Sequence, residues 1–130
     1  LNALRDWGHA KDFVEAQWMM LQQKTPEDFI IATGKQYSVR EFINVASKKL
    51  GMKINWRGKD LNEVGICNGQ EIIKVDSRYF RPSEVETLLG DSSKAKRKLK
   101  WSPKISFEQL VKEMIDHDLE LAKNNTLNND

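Results

Sequence analysis

The sequence predicts an α/β fold of short strands, a hairpin and about four helices, and three observations predict it. Two capping boxes, Ser38-Val39-Arg40-Glu41 and Ser106-Phe107-Glu108-Gln109, each open a run of apolar residues at helical spacing. Phe29-Ile30-Ile31-Ala32-Thr33 is apolar without alternation and stops at Gly34, the pattern of a strand covered on both faces. Asn68-Gly69 stands between two strand-like runs and is the strongest short signal for a hairpin.

In chain order, Arg5 to Asp12 reads as a loop entering a helix, with His9 or Asp12 near the helix start. Ala10, Val14, Trp18 and Leu21 share a helical face that Phe13 and Met20 widen, and Thr25-Pro26 ends the helix near Gln23. Trp18 and Met19-Met20 read as core. After the strand at 29–33, Val39, Phe42, Ile43, Ala46 and Leu50 mark one face of a second helix that Gly51 stops. Lys53 to Arg57 alternates as a strand, and 63–67 with 70–75 form the hairpin, Cys67 lying beside its turn as an inert thiol. Asp91 caps a short helix whose Ala95 and Leu99 face inward. Trp101-Ser102-Pro103 is a turn. The last helix carries Phe107, Leu110, Val111, Met114, Ile115 and Leu119 on one face and runs to about Lys123, leaving 124–130 as a disordered tail.

Composition excludes several classes. Charged residues at 31% and apolar residues at 39% suit a soluble globular chain of 130 residues, and no apolar run is long enough to span a bilayer. A single cysteine excludes an internal disulfide and fits a reducing cytoplasm. His9 and His117 are far apart without ligand spacing, so no metal site is expected. A net charge of +2 is too small to predict nucleic-acid binding. The six bases between Lys94 and Lys104 read as a solvated helix face.

The stretch Arg78-Tyr79-Phe80-Arg81-Pro82-Ser83-Glu84-Val85-Glu86 gathers two arginines and two glutamates around a proline. Arginine presents a rigid fork of donors suited to phosphate, and Pro82 fixes its own φ while pushing Arg81 towards an extended conformation. The cluster could hold a pyrophosphate and a sugar diol, or be a surface ion-pair network. A catalytic set is missing. Gly51, Gly58, Gly65 and Gly69 do not lead a strand into a helix, and neither Tyr37 nor Tyr79 has a lysine four residues on. Nothing recommends Glu84 and Glu86 as an acid/base pair. The chain alone is not expected to be an enzyme.

Arg5-Asp6-Trp7-Gly8-His9-Ala10-Lys11-Asp12-Phe13, Ile31 to Gly34, Tyr37 to Phe42, Arg78 to Glu86, and Leu89-Gly90-Asp91 with Lys94-Ala95, Leu99 and Trp101-Ser102-Pro103 resemble the GDP-mannose 4,6-dehydratases, in order and over nearly the whole chain. The resemblance is to the C-terminal, substrate-binding portion of those extended Rossmann-type short-chain dehydrogenase/reductases, with the N-terminal NADP-binding part outside residues 1–130. It implies conversion of GDP-mannose to GDP-4-keto-6-deoxymannose by internal redox dehydration. It also implies that Arg5 and Arg81 contact the GDP pyrophosphate and that Glu84 binds the guanosine ribose hydroxyls. The chemistry agrees, because arginine makes charge-assisted bonds to phosphate and a carboxylate accepts from vicinal hydroxyls. NADP and the catalytic residues fall to the missing part, so no catalytic residue is assigned here. Arg78 has no implied role and reads as an ion-pair residue; His9 and Asp12 are expected to fix the loop and helix start. The resemblance further implies a homo-oligomer, dimer or tetramer, while the composition and the single cysteine lead us to expect a cytoplasmic protein with no nucleic-acid or membrane partner. Two alternatives stay open: another nucleotide-sugar dehydratase or epimerase, and a non-catalytic adaptor using the basic Lys94–Lys104 face.

Overall fold

The computed structural model describes residues 1–81 and 85–127, with side chains as far as residue 124. Among the described residues two small sheets and four α-helices form the fold. The first sheet has β1 (Leu4–Asp6) at its centre, antiparallel to β2 (Gln36–Ser38) and parallel to β6 (Thr87–Leu88). The second is an antiparallel meander of β3 (Asn55–Arg57), β4 (Val64–Cys67) and β5 (Gln70–Lys74). Helices α1 (Ala10–Leu21), α2 (Val39–Lys49), α3 (Ser93–Lys98) and α4 (Phe107–Leu127) fill the rest.

The local signals hold where chemistry is local. At α2, the Ser38 hydroxyl accepts from the Glu41 amide, and the Glu41 carboxylate accepts from the Ser38 amide. The helix closes with Gly51 at φ +70, its amide donating to Lys48 and the Met52 amide to Ser47, the paired bonds of a Schellman stop. At α4, Ser106 and Gln109 exchange the same reciprocal bonds. Asn68 and Gly69 both adopt positive φ in the hairpin turn, and Cys67 is buried beside it. For α3 the cap residue is Ser92, yet the Asp91 carboxylate accepts from the Ser93 amide; Ala95 and Leu99 are buried as expected.

Four expectations need correction. Residues 29–33 are not a strand: no ladder partner lies beside them among the described residues, and the segment is held by the Asp6 carboxylate, which accepts from the Thr33 and Gly34 amides. The segment 5–12 is not all loop, because β1 starts at Leu4, and the strands β1, β2 and β6 are too short to show periodicity. The α1 face Val14–Trp18–Leu21 is solvent-facing, Trp18 being 61% exposed, whereas Asp12, Phe13, Ala16, Met19 and Met20 turn inward. On α4, Phe107, Leu110, Val111 and Ile115 turn inward but Met114 and Leu119 are exposed, and the helix passes Lys123 to reach Leu127.

The core is small. Ala16, Ala95, Leu99 and Trp101 form its centre, with Phe13, Met19, Met20, Phe29 and Ile31 packed around them. The Trp101 indole nitrogen donates to the Asp12 carbonyl at 2.9 Å, so the one polar atom of this buried ring is satisfied. Aromatic contacts make a second cluster: Tyr37 stacks on Phe107 with centroids 3.9 Å apart, and Trp7 stacks on Phe42. That cluster joins the start of α4 to β2 and α2.

Candidate functional site

A groove of about 890 Å³ opens between the two sheets. One wall is the N-terminal stretch Leu1 to Leu4 with Val39; the other is Lys74-Val75-Asp76 leaving β5, then Tyr79-Phe80-Arg81. Glu86 and Thr87 close it. The volume is in the range of small-molecule sites, and the lining combines apolar side chains with a few charged groups.

Backbone bonds bring these distant segments together. The Leu4 amide donates to the Glu86 carbonyl at 2.8 Å, and β1 pairs with β6. Arg5 Nη1 donates to its neighbour Leu4 and, at 2.8 Å, to the carbonyl of Val85. Arg5 thus ties β1 to the segment that follows Arg81, while Arg81 itself lines the groove. Leu4, and not Arg5, is in the groove lining. Glu84 lies outside the described residues, as do Pro82 and Ser83.

The neighbouring charges sort themselves. Arg78 closes on Asp76 with three side-chain bonds, the shortest 2.6 Å, and Asp76 caps the single helical turn Ser77–Tyr79. The Arg78 guanidinium holds the Asp76 carboxyl below the usual carboxylate range. Arg78 is therefore the ion-pair residue that the sequence suggests. His9 caps α1 by accepting from the Lys11 amide on Nδ1, and its Nε2 faces Glu113 at 3.2 Å. Asp12 is buried and accepts from the Lys104 and Ile105 amides, each at 3.0 Å. Both residues fix the loop and helix start.

The basic face is locally matched. Lys94 and Lys98 bond Glu27, and Lys104 bonds Glu15. Lys98 first, and then Lys94, lower the Glu27 pKa. Three of the six bases are so engaged with acids of the same chain, which argues against a surface reserved for an acidic partner. Among the described residues no helix is long and apolar enough to cross a membrane.

Sequence reasoning missed most of the groove. Leu1 to Leu4, Lys74 to Asp76 and Thr87 carry no motif; the pairing of β1 with β6 brings Leu4 to Thr87, and Lys74 to Asp76 arrive from the second sheet. The single local signal was Asp76-Ser77-Arg78, an acid placed to cap a turn beside the arginine stretch.

The sequence profile of the family GDP-mannose 4,6 dehydratase matches residues 1–114. The chain belongs to this family. It is 53% identical over 127 residues to the human GDP-mannose 4,6 dehydratase, covering 96% of this chain and 34% of that protein. It is 50% identical over 139 aligned positions to GDP-mannose 4,6-dehydratase of Vibrio cholerae, covering 98% of this chain and 37% of that protein. The chain thus spans about a third of the length of these curated family members. Among solved structures, RMD of Pseudomonas aeruginosa complexed with NADPH superposes with a TM-score of 0.66 at 16% identity, over 88% of this chain and 32% of that one. A UDP-glucose 4-epimerase of Thermotoga maritima with UDP-glucose gives 0.69 at 22% identity, over 93% and 33%. At these identities the likeness concerns the fold alone, a mixed α/β arrangement of short strands and helices.

Proposed function

We propose that residues 1–130 form the substrate-binding portion of a GDP-mannose 4,6-dehydratase, and that the groove beside Arg81 receives the GDP part of GDP-mannose. In the whole enzyme the sugar is oxidised at C4, loses water across C5 and C6, and is reduced at C6, giving GDP-4-keto-6-deoxymannose. NADP, when bound, supplies the acceptor and donor of that hydride. No residue of this chain is assigned to holding it, because the glycines here do not lead a strand into a helix. This portion by itself is inactive, and the whole enzyme is a cytoplasmic homo-oligomer.

The observation that carries the reading is that Arg81 lines a groove shared with Leu1–Leu4 and with Glu86 and Thr87, segments some eighty positions apart that the Arg5–Val85 bond ties together beside it. Arg81 donates to the pyrophosphate there, and Arg5, which anchors the same segment, makes the second phosphate contact. Glu84 takes the ribose hydroxyls. Val14, Trp18 and Leu21 lie exposed on one face of α1, which supports a larger whole that covers them.

The test is made on the full-length enzyme. Arg81→Ala is expected to weaken GDP-mannose binding by about 1.5–3 kcal/mol, the scale of a hydrogen bond to a charged group. Unchanged affinity by calorimetry would remove Arg81 from the site. Glu84→Ala should erase any preference for GDP over 2′-deoxy-GDP; a preserved preference would assign the ribose to other residues.

A further inference from the structure

Arg40 does not line the groove, yet it is bonded to one of its walls and to the residue that precedes β4, the strand paired with β5 on the side of the other wall. Its Nε and Nη2 donate to Asn2 Oδ1 at 3.2 and 3.1 Å, and its backbone amide donates to the Leu1 carbonyl at 3.2 Å. Leu1 and Asn2 belong to one wall. The same Nη2 pairs with Glu63 Oε1, and Glu63 is buried, immediately before β4. The guanidinium also stacks over Trp56 of β3, 4.7 Å from the ring centroid, and the Trp56 indole nitrogen donates to Asn44 of α2. The second sheet, whose β5 leads into the wall residues Lys74-Val75-Asp76, is thereby fastened to α2 and to the N-terminal wall through one side chain. Arginine's planar fork serves an amide oxygen, a buried carboxylate and an aromatic face together.

We infer that Arg40 is a positioning residue that fixes the width of the groove, acting through Asn2 and Glu63, without touching the ligand. Its effect on GDP rests on the substrate reading above, whereas its effect on the walls does not. Breaking the clamp leaves the groove's own donors in place but lets its walls separate, so ground-state and transition-state binding fall alike and kcat is spared.

Two measurements on the full-length protein test this, with GDP as the probe. In Arg40→Gln, hydrogen exchange at the Leu4 amide, bonded across to Glu86, should quicken about tenfold through easier local opening. The GDP Kd should rise about fivefold or more in Arg40→Gln and by a smaller factor in Glu63→Gln, within the range that indirect residues impose on a site. The KM for GDP-mannose should rise in parallel with kcat held within about threefold. Glu63→Gln and Arg40→Lys, which retain a polar partner, serve if Arg40→Gln fails to fold. GDP affinity unchanged in the folded variants, or a loss confined to kcat, would overturn the inference. If the unsubstituted protein does not bind GDP at all, the substrate reading falls, and the exchange rate at Leu4 alone decides whether Arg40 holds the walls.

Discussion

Asp12 is a carboxylate with almost no access to water, and one of its oxygens accepts two backbone amides, from Lys104 and Ile105. Its backbone carbonyl accepts a hydrogen bond from the indole N–H of Trp101. A single residue thus pins α1 to the turn that precedes α4. Asp12→Ala would leave two part-buried donors without a partner, at a cost of about 1–3 kcal/mol, read as a lower urea midpoint for the 130-residue chain. Asp12→Asn, which keeps an acceptor oxygen, should cost less; equal losses would show that shape and not hydrogen bonding matters there. The two arginines of 78–81 make the complementary point. They look alike in sequence, but Arg78 is committed to Asp76 while Arg81 borders the groove. Arg78→Ala is accordingly expected to affect GDP binding less than Arg81→Ala in a side-by-side titration.

At the scale of elements, α2 is the best specified. Its capping box, its Schellman stop and its last-turn lysines agree with one another. Ser38→Ala should destabilise by about 0.5–2 kcal/mol, the usual cost of losing such a cap, measurable by chemical denaturation. The Ser38 amide first, and its hydroxyl second, hold the Glu41 carboxyl below the usual carboxylate range. A depressed folded value means that the charged form supports the fold above the ordinary carboxylate pKa, and that this support is lost as pH falls through the lowered one. Glu41→Gln should therefore flatten the acid side of the stability profile; an unaltered profile would remove the cap from that dependence. The other elements were legible in part. Capping boxes and the Asn-Gly turn are local chemistry and were read correctly. The strands β1, β2 and β6 exist only because distant segments meet, and two or three residues cannot display a period.

For the whole molecule, burial decides what each apolar residue does. Trp18 and Trp101 are both tryptophans in plausible core positions, yet Trp18 is 61% exposed and Trp101 1%. Trp101→Ala should cost about 3–5 kcal/mol as a large buried ring is removed, whereas Trp18→Gln should stay within about 0.5 kcal/mol. Comparable losses in thermal melts of the 130-residue chain would mean that the exposed α1 face is covered in solution.

By itself the sequence determined the class of the fold, the hairpin, the capped starts of two helices and the family, because each rests on residues close together or on an order of motifs. It also marked Arg5, Arg81 and Glu84 as the residues to follow. Only the tertiary structure decided that 29–33 forms no strand, that α1 turns Asp12 and Ala16 inward in place of Trp18, and that a groove joins Leu1–Leu4 to Lys74–Arg81. The physical reason is the same in each case. Helix caps and turns are satisfied by neighbours in the chain, but a strand, a buried face or a groove needs a partner that sequence spacing does not name.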